Sequence, residues 1–303
     1  MAAAAAAAAG PQLCGYVALV GRPNVGKSTL LNHLLQQKVA ITSRKPQTTR
    51  HVMLGVDTEG PHQAIYVDTP GIHDHADREM NRYMVRSATS VLVDADLVLM
   101  VIERDRWLAE DELVLEHIRR AGTPVIAIIN KQDQLQRKEL LLPIIHRLGG
   151  LDVFQAIVPV SALKGIGIAE LRREVFGRLP ENPHLFPPDQ VTDQSERFIV
   201  SEIIREKLMR RFGDEIPHRT AVVIEAFEDR GDVVDISADI YVERSGQKRI
   251  IIGKSGEKLK QVGQDARHDI EQLLDKRVML RLWIKVRPGW TNSASALRRL
   301  GYD

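Results

Sequence analysis

Short, almost continuously apolar runs punctuate the first 180 residues of the chain. They lie at 16–20, 97–102, 125–129 and 156–160, and a helical pattern occupies 109–121. Strands that are buried on both faces of a parallel sheet give runs of this kind, whereas half-exposed strands alternate between apolar and polar residues. The pattern predicts an α/β domain with a doubly wound, mostly parallel sheet.

The pattern changes beyond residue 190, where strands alternate and helical stretches are longer. The apolar run 250–252 is interpreted as the end of a strand that leads into a helical pair. The predicted order is helix, strand, strand, helix, helix and strand, at 195–212, 220–227, 233–242, 257–262, 264–274 and 278–286. This order predicts a separate α+β domain.

A proline-rich stretch at 179–190 separates the two patterns and cannot form a regular helix. We therefore predict an N-terminal domain at 13–182, a linker at 183–191 and a C-terminal domain at 192–303. Residues 1–12 include eight consecutive alanines and are predicted to form a disordered or frayed extension.

The charge, the cysteine count and the absence of long apolar runs indicate the compartment in which the protein works. The 303 residues include 42 Lys and Arg against 40 Asp and Glu, so the whole-chain charge of +2 indicates no particular partner. The single cysteine, Cys14, excludes an intramolecular disulfide and favours a reducing compartment. The alanine run lacks the charged and bulky apolar parts of a secretory signal, and no run of 18 apolar residues occurs. We expect a soluble, cytoplasmic protein.

A phosphate-binding motif follows the first apolar run. Its glycines allow backbone N–H groups to converge on one anion, and the helix that follows adds its positive N-terminal end. The candidate phosphate-binding residues are Gly21, Arg22, Pro23, Asn24, Val25, Gly26, Lys27, Ser28 and Thr29. In this spacing, Lys27 can reach the β- and γ-phosphates, and the Ser28 hydroxyl can ligate Mg²⁺.

Two polar loops can respond to the γ-phosphate. The candidate switch residues are Gln47, Thr48, Thr49, Arg50 and His51 in the first loop, and Asp68, Thr69, Pro70 and Gly71 in the second. Thr49, with Thr48 as the alternative, can complete Mg²⁺ coordination, and Asp68 can hold the ion through water. Gly71 can offer its N–H to the γ-phosphate. We assign catalytic contributions to Lys27, Thr49 and Gly71.

A guanine-binding motif, N-K-x-D, begins at Asn130 directly after an apolar run. The Asp133 carboxylate can accept hydrogen bonds from guanine N1 and N2, whereas adenine would leave this carboxylate unpaired at a cost. Asn130 can tie neighbouring loops together, and the Lys131 stem can cover the base. Backbone N–H groups in the turn at Ser161, Ala162 and Leu163 can contact the guanine O6.

The order of these motifs resembles the translation-factor-type P-loop GTPases. The resemblance implies GTP and GDP as ligands, Mg²⁺ as cofactor and GTP hydrolysis as the reaction. Ile72 stands where many of these enzymes have a water-orienting glutamine, so slow intrinsic hydrolysis is expected. In relatives that lack the glutamine, an asparagine at the position of Asn24 can hold K⁺. Residues 73–77 are interpreted as a mobile switch segment rather than a metal cluster.

The second domain contains a G-x-x-G motif at 253–256, and its predicted elements resemble a type II KH domain. In that module the G-x-x-G loop clamps about four nucleotides of single-stranded nucleic acid. The alternative is a simple helix-start turn. Basic runs at 244–260 and 276–302 favour a phosphate-binding surface. The candidate RNA-binding residues are Arg249, Gly253, Lys254, Ser255, Gly256, Lys258, Lys260, Lys285 and Arg287.

Together, the two domains resemble a family of bacterial ribosome-assembly GTPases over residues 13–303. The resemblance implies binding to the 3′ end of small-subunit rRNA in a 30S-type precursor, gated by GTP. It also implies a monomer, with loose peripheral association with the inner face of the cell membrane in some cases.

Two functions from other classes are weighed against this one. A metabolic phosphotransferase would need an acceptor site and a catalytic base, and neither motif is evident. A membrane-linked switch whose KH domain reads DNA or a protein would be anchored, but the sequence has no amphipathic basic helix or lipidation signal.

Overall fold

The protein is described by a computed structural model that covers residues 11–43, 45, 48–71, 79–104, 106–213 and 216–300. Its contacts divide the chain into two compact units, and the main boundary falls between Asp193 and Gln194. This lies two residues beyond the predicted linker. The described residues within 41–48, together with residues 79–83, group with the second unit, although the sequence placed them in the first domain.

The chain up to residue 176 supplies a six-stranded sheet with helices between the strands. The elements are β1 (Leu13–Val20), α1 (Lys27–Leu34), β2 (Met53–Glu59), β3 (His62–Asp68), α2 (Glu79–Asp94), β4 (Leu97–Glu103), α3 (Ala109–Ala121), β5 (Val125–Asn130), α4 (Leu142–Gly149), β6 (Phe154–Pro159) and α5 (Ile168–Phe176). The strand order is β2-β3-β1-β4-β5-β6, and only β2 runs antiparallel to its neighbour. The predicted doubly wound, mostly parallel sheet is confirmed.

The middle of this sheet is its core. Every residue of β5 is buried, as are the residues of β4 up to Ile102. Val114 and Ile118 of α3 pack in the same cluster. Full burial of each such side chain contributes about 1.5–3 kcal/mol, so the centre of the sheet is a firm base. The carboxyl ends of its parallel strands therefore present their last residues at one edge.

Residues 180–193 are bound to the first unit along much of their length. The Gln63 side-chain oxygen accepts the N–H groups of Leu185 and Phe186 at 2.9 and 3.0 Å. Val56 of the edge strand β2 donates to the Val191 carbonyl at 2.8 Å. The prolines keep this stretch out of a helix, as predicted, but it is a docked strap rather than a free linker.

The second unit pairs a three-stranded sheet with helices. Its elements are α6 (Glu196–Arg211), β7 (Thr220–Asp229), β8 (Val233–Val242), α7 (Ser245–Ile252), α8 (Glu257–Leu274), β9 (Arg277–Val286) and α9 (Ala294–Arg299). The strand order is β7-β8-β9, with β8 and β9 parallel. Alternate β8 residues from Val234 to Val242 are buried against Ile203, Val262 and Ile270 of the helices. This is the predicted α+β arrangement.

Residues 245–252 form a helix, and the prediction of a strand end at 250–252 was wrong. The side-chain oxygen of Gln247 accepts the N–H groups of Glu243 and Arg244, both at 2.9 Å, and so closes the N-terminus of α7. Ile251 is buried while Ile250 is half-exposed, which is helical rather than strand periodicity. A run of three isoleucines was too short to distinguish the two structures.

Residues 257–274 form one helix, whereas the sequence predicted two helices divided at Gly263. A glycine inside a helix costs about 1 kcal/mol relative to alanine. Burial of Val262, Ala266 and Ile270 on one face of α8 outweighs that cost, because these three side chains are fully covered.

Residues 41–48 group with the second unit because they bind α6. The Thr42 N–H donates to Glu206 at 2.9 Å, and the Arg210 guanidinium donates to the Thr42 carbonyl at 3.2 Å. Both helix residues lie on one face of α6, since they are four apart. Sequence periodicity could not reveal this, because the two partners are more than 160 positions apart.

Candidate functional site

The phosphate-binding loop turns sharply between β1 and α1. A side chain at Gly21 would place its Cβ 2.4 Å from the Val101 carbonyl oxygen, and one at Gly26 would meet Asn130 Nδ2 at 2.4 Å. Both glycines also have positive φ, so the loop requires glycine twice. The other residues of the motif follow the same turn: Pro23 half-buried, Asn24 exposed with φ 65°, Val25 buried, and Thr29 half-buried in α1.

Lys27 is buried beneath this loop at the first position of α1. Its Nζ donates to the carbonyl oxygens of Gly21 at 2.9 Å and Arg22 at 3.1 Å. Burial lowers the pKa of Lys27 to about 8, although the Asp68 carboxylate partly opposes the shift. The loop therefore holds a cation that gains from any added negative charge, as a phosphate site requires.

Three oxygen-bearing side chains meet beside Lys27. The Ser28 hydroxyl donates to Asp68 at 2.7 Å and lies 2.7 Å from the Thr49 hydroxyl, which is 3.3 Å from Asp68. The second oxygen of Asp68 is buried without a hydrogen-bond partner among the described residues, and burial raises the pKa of this carboxyl group. Hydroxyl and carboxylate oxygens are the ligands that Mg²⁺ takes, so this donor set fits the ion.

The geometry distinguishes the two threonines of the first switch loop. The Thr48 hydroxyl lies 2.8 Å from the Ser43 hydroxyl and donates to the Lys45 carbonyl at 2.7 Å, so it serves a local turn. Thr49 is the residue placed with Ser28 and Asp68. The residues beyond them are Arg50, buried, and His51, half-buried. Gln47 lies outside the described residues.

The second switch loop starts against the phosphate-binding loop. A Cβ at Gly71 would lie 2.8 Å from the backbone nitrogen of Pro23, so only glycine permits this approach. Thr69 donates its hydroxyl to the Leu19 carbonyl at 2.8 Å, and Pro70 is buried. The interpretations of Ile72 and of residues 73–77 fall outside the described residues.

One amide joins the three loops of the predicted nucleotide site. Asn130 Nδ2 donates to the Val25 carbonyl at 2.8 Å, and its Oδ1 accepts the N–H groups of Lys131 at 2.7 Å and Ala162 at 2.9 Å. Asn130 is buried at the end of β5, where the sheet positions it. The structure thus brings together the three segments that the sequence singled out separately.

The base-reading residues lie on this joined framework. Asp133 accepts a hydrogen bond from the buried Ser161 hydroxyl at 2.5 Å, and Leu163 is exposed. Asp133 is itself exposed in the protein alone. Lys131 Nζ donates to the Asn24 carbonyl at 2.7 Å, which lays its stem between the two loops.

Sequence reasoning missed Glu103, the last residue of β4. Its carboxylate contacts Lys131 at 3.1 Å and Arg22 at 3.0 Å. The available signal was its position, because it ends a buried parallel strand as Asp68 and Asn130 do.

The G-x-x-G loop of the second unit connects α7 to α8. Gly253 and Gly256 have φ of 73° and 81°, and Ser255 between them has φ of 53°. A Cβ at Gly253 would lie 2.7 Å from the Lys258 side chain. Lys254 and Ser255 are exposed at the tip of the loop, so its backbone is open to close approach.

A groove runs between α8 and β9 from Gly256. Leu259, Gly263 and Leu282 form its apolar floor, and Lys260 stands beside them. Of the residues that line the groove, only Gly256 and Lys260 were predicted from the sequence as RNA-binding candidates. The missing signal was Gly263, since a glycine retained inside a helix often marks a close approach to the helix surface.

The two basic runs differ once they are folded. The first keeps its members exposed: Arg249, Lys254, Lys258 and Lys260. In the second, Lys285 pairs with Asp239, and Arg281 pairs with Asp235 at 2.9 Å. Lys285 is not among the residues that line the groove. Arg287 follows β9 and donates its N–H to the Val242 carbonyl.

Family models match both halves of the chain. The model described as "50S ribosome-binding GTPase" matches residues 16–131, and the model described as "KH domain" matches residues 215–291. The first match lies mostly in the first unit and the second lies in the second unit, and the predicted KH domain is confirmed.

Whole-length relatives extend the comparison. The chain is 55% identical to GTPase Era of Ectopseudomonas mendocina, covering 95% of this chain and 97% of that protein. It is 54% identical to GTPase Era of Azotobacter vinelandii, with 95% and 96% covered.

Solved structures agree with these relatives. A single-residue variant of Era from Aquifex aeolicus, bound to GDP·AlF4⁻, superposes with a TM-score of 0.93 at 39% identity, covering 96% of this chain and 99% of that chain. An Era in complex with MgGDPNP and nucleotides 1506–1542 of 16S ribosomal RNA gives the same score, identity and coverage. Identity of this level over nearly the full length of both proteins shows that the chain belongs to the GTPase Era family.

Proposed function

We propose that this GTPase is a nucleotide-dependent switch that binds the 3′ region of small-subunit rRNA and assists assembly and maturation of the small ribosomal subunit. The observation that carries the proposal is the G-x-x-G loop with its exposed tip beside the groove at Leu259 and Leu282. A relative of the same architecture is known in complex with nucleotides 1506–1542 of 16S rRNA, which supports the choice of RNA.

The GTP site divides its tasks among residues of the first unit. The backbone of the loop from Gly21 to Ser28 surrounds the phosphates, and Lys27 exchanges its contacts with the Gly21 and Arg22 carbonyls for the phosphate oxygens. Gly71 offers its N–H to the γ-phosphate. Asp133 and the Ala162 turn read the guanine.

Ser28, Thr49 and Asp68 are the residues that would hold Mg²⁺. When bound, the ion neutralises charge on the β- and γ-phosphates. Thr49 lies in the first switch loop, so its contact with Ser28 links the order of that loop to the phosphate site. Departure of the γ-phosphate removes one anchor of this loop, and that loss is the proposed signal to the RNA-binding domain.

K⁺ is a second proposed cofactor, at Asn24. Its exposed position in the phosphate-binding loop supports the assignment. GTP hydrolysis measured in potassium and in sodium at equal ionic strength tests it, and equal rates would remove K⁺ from the site.

The cellular setting also belongs to the proposal. We infer a monomer that acts on a 30S-type precursor in the cytoplasm, with peripheral attachment to the inner face of the cell membrane as a further prediction. No helix in the described part of the chain has the length and apolar character needed to cross a membrane.

Binding of labelled RNA tests the central proposal. The probe is a single-stranded RNA from the 3′ end of small-subunit rRNA, titrated with the full chain in Mg²⁺ with a non-hydrolysable GTP analogue or with GDP. We expect tighter binding with the analogue, and weaker binding for a probe of shuffled sequence. Equal affinity for the two RNAs in both nucleotide states would contradict the proposal.

A further inference from the structure

We propose that Glu103 is a positioning residue that fixes the spacing between the phosphate-binding loop and the guanine-binding loop. The inference rests on the proposed nucleotide site and adds to it a residue that contacts neither the phosphates nor the base. Glu103 ends β4, the strand next to both β1 and β5. The loops that follow those two strands carry the two halves of the site.

Glu103 uses one carboxylate oxygen for each loop. Its Oε2 accepts from Arg22 at 3.0 Å, and its Oε1 accepts from Lys131 at 3.1 Å. A guanidinium nitrogen of Arg104 lies 3.6 Å from Oε1 of Glu103. A single rigid group therefore spans the gap between the G-x-x-x-x-G-K-S loop and the N-K-x-D loop.

The two cations that Glu103 holds are each tied directly into the site. The Arg22 carbonyl accepts a hydrogen bond from Lys27, and the Lys131 ammonium donates to the Asn24 carbonyl at 2.7 Å. Glu103 therefore contacts cations whose residues also take part in the hydrogen bonds of the phosphate-binding loop. Asn130 donates to the Val25 carbonyl at 2.8 Å, so the two loops are joined by the Glu103 bridge and by two direct hydrogen bonds.

The contacts of Glu103 are shielded from solvent. The side chains of Arg22 and Glu103 are 11% and 15% exposed, and that of Lys131 is 25% exposed. Burial alone would raise the pKa of Glu103, but Lys131 and Arg22 outweigh it and hold the pKa below its ordinary value. Glu103 is thus charged at neutral pH, and both contacts are charge-assisted hydrogen bonds, which are the stronger kind.

Glutamine cannot replace this group, although it has the same shape. Its amide has one acceptor oxygen and one donor nitrogen, so the nitrogen would face either Arg22 or Lys131 donor to donor. Aspartate keeps the charge but is shorter by one methylene, so it cannot reach both loops. Each substitution removes the Glu103 bridge but leaves the direct Lys131–Asn24 and Asn130–Val25 contacts, and every residue predicted to contact the nucleotide, in place.

Dissociation of fluorescent GDP from the full chain tests the inference. We expect Glu103→Gln to release GDP about tenfold faster than the parent, because a charge-assisted contact is lost. Lys131→Ala should also release GDP faster. Lys131→Ala also removes the direct contact with Asn24, so it should be the faster of the two single variants, and the double variant should be no faster than Lys131→Ala, since the Glu103 bridge is already broken without Lys131. Glu112→Gln is the matched control, because Glu112 accepts from Trp107 and lies outside both loops.

The comparison of the single and double variants separates a positioning role of Glu103 from a general effect on folding. A purely structural role would lower the melting temperature of Glu103→Gln but leave GDP dissociation from the folded protein unchanged, and that result would overturn the inference. Rate effects of the two single changes that multiply in the double variant would also overturn it. If Glu103→Gln does not fold, Glu103→Asp gives the same test with the charge retained. A parent protein that binds no GDP would overturn the nucleotide site as well.

Discussion

The nucleotide site and the G-x-x-G region both use glycine-containing loops, but the two loops differ in how far their side chains already have partners in the protein. In the first unit, the side chains that would meet the ligand already have hydrogen-bond partners within the protein. Lys27 donates to backbone carbonyls, and Ser28, Thr49 and Asp68 contact one another. In the second unit, Lys254 and Ser255 stand exposed at the tip of their loop. One site is assembled beforehand, while the other presents backbone and charge to a long polymer.

This difference indicates which of the two regions can discriminate between ligands. A preassembled polar site discriminates strongly, because a wrong ligand leaves its groups unpaired. The charged tip of an exposed loop contributes affinity that depends on salt and little on sequence, whereas a preference for one RNA sequence must come from other contacts of the same domain. We therefore expect changes in the first region to abolish binding of one ligand and changes in the second to weaken binding in a graded way.

The largest effect should come from Lys27→Ala. The loop would lose its central cation, and we expect GTP affinity to fall at least about a hundredfold. Calorimetric titration with GTP and Mg²⁺ measures the change. Lys138→Ala removes an exposed lysine as the control and should bind GTP like the parent. Retained affinity in Lys27→Ala would show that the loop does not depend on this cation.

Asp133→Asn should have the next largest effect and should change the preferred base. We expect GTP affinity to fall by about tenfold to a hundredfold and xanthosine triphosphate to bind better, because the amide can donate to a 2-oxo group. Competition among GTP, ATP and xanthosine triphosphate measures this, with the exposed Asp189→Asn as the control. A parent that binds ATP as well as GTP would remove Asp133 from the guanine site.

A double change of Lys254 and Ser255 to Asp should weaken RNA binding by about tenfold at low salt, and the slope of affinity against salt should flatten by roughly one unit. Two carboxylates would face the phosphates, while GTP affinity should be unaltered. Lys285→Gln is the matched control, because Asp239 already neutralises Lys285. If RNA affinity were the same in the double variant, the G-x-x-G would be only a helix-start turn.

The smallest effect is a dependence on pH. Because the pKa of Lys27 is lowered to about 8, the nucleotide-free protein loses this proton as pH rises through that value. The phosphates favour the charged form, so GTP binding should take up a proton above about pH 8, and affinity should fall by up to about tenfold per pH unit there. Calorimetry in two buffers of different ionisation enthalpy measures the uptake. Absence of uptake would mean that Lys27 stays charged without nucleotide.

Local sequence was enough for the sheet and for the glycine loops. The buried runs at β4 and β5 can be read because parallel strands covered on both faces leave no polar alternation. The motifs at Gly21 and Asn130 can be read because their chemistry needs adjacent residues. The choice between Thr48 and Thr49 could not be settled from sequence, since it depends on contacts with Ser28 and Asp68 across the fold.

Long-range pairing explains what the sequence could not reveal. Lys285 looked like part of a basic surface because the nearby sequence contains no acid, yet β8 lies alongside β9 and supplies Asp239. Glu103 was passed over because nothing beside it in sequence reveals that Arg22 and Lys131 converge on it. In both cases, the partner residue lies tens of positions away in the sequence, and the order of the strands in the sheet brings it close.

The strap at 180–193 covers part of one edge of the six-stranded sheet. β2 lies at the edge of the six-stranded sheet, and Val191 and Thr192 occupy its outer side through contacts with Val56 and Leu54. An uncovered strand edge offers unpaired backbone groups on which a second chain can assemble. A nucleotide-domain fragment cut at residue 182 would expose that edge and invite aggregation, whereas one that continues through Asp193 would keep it closed.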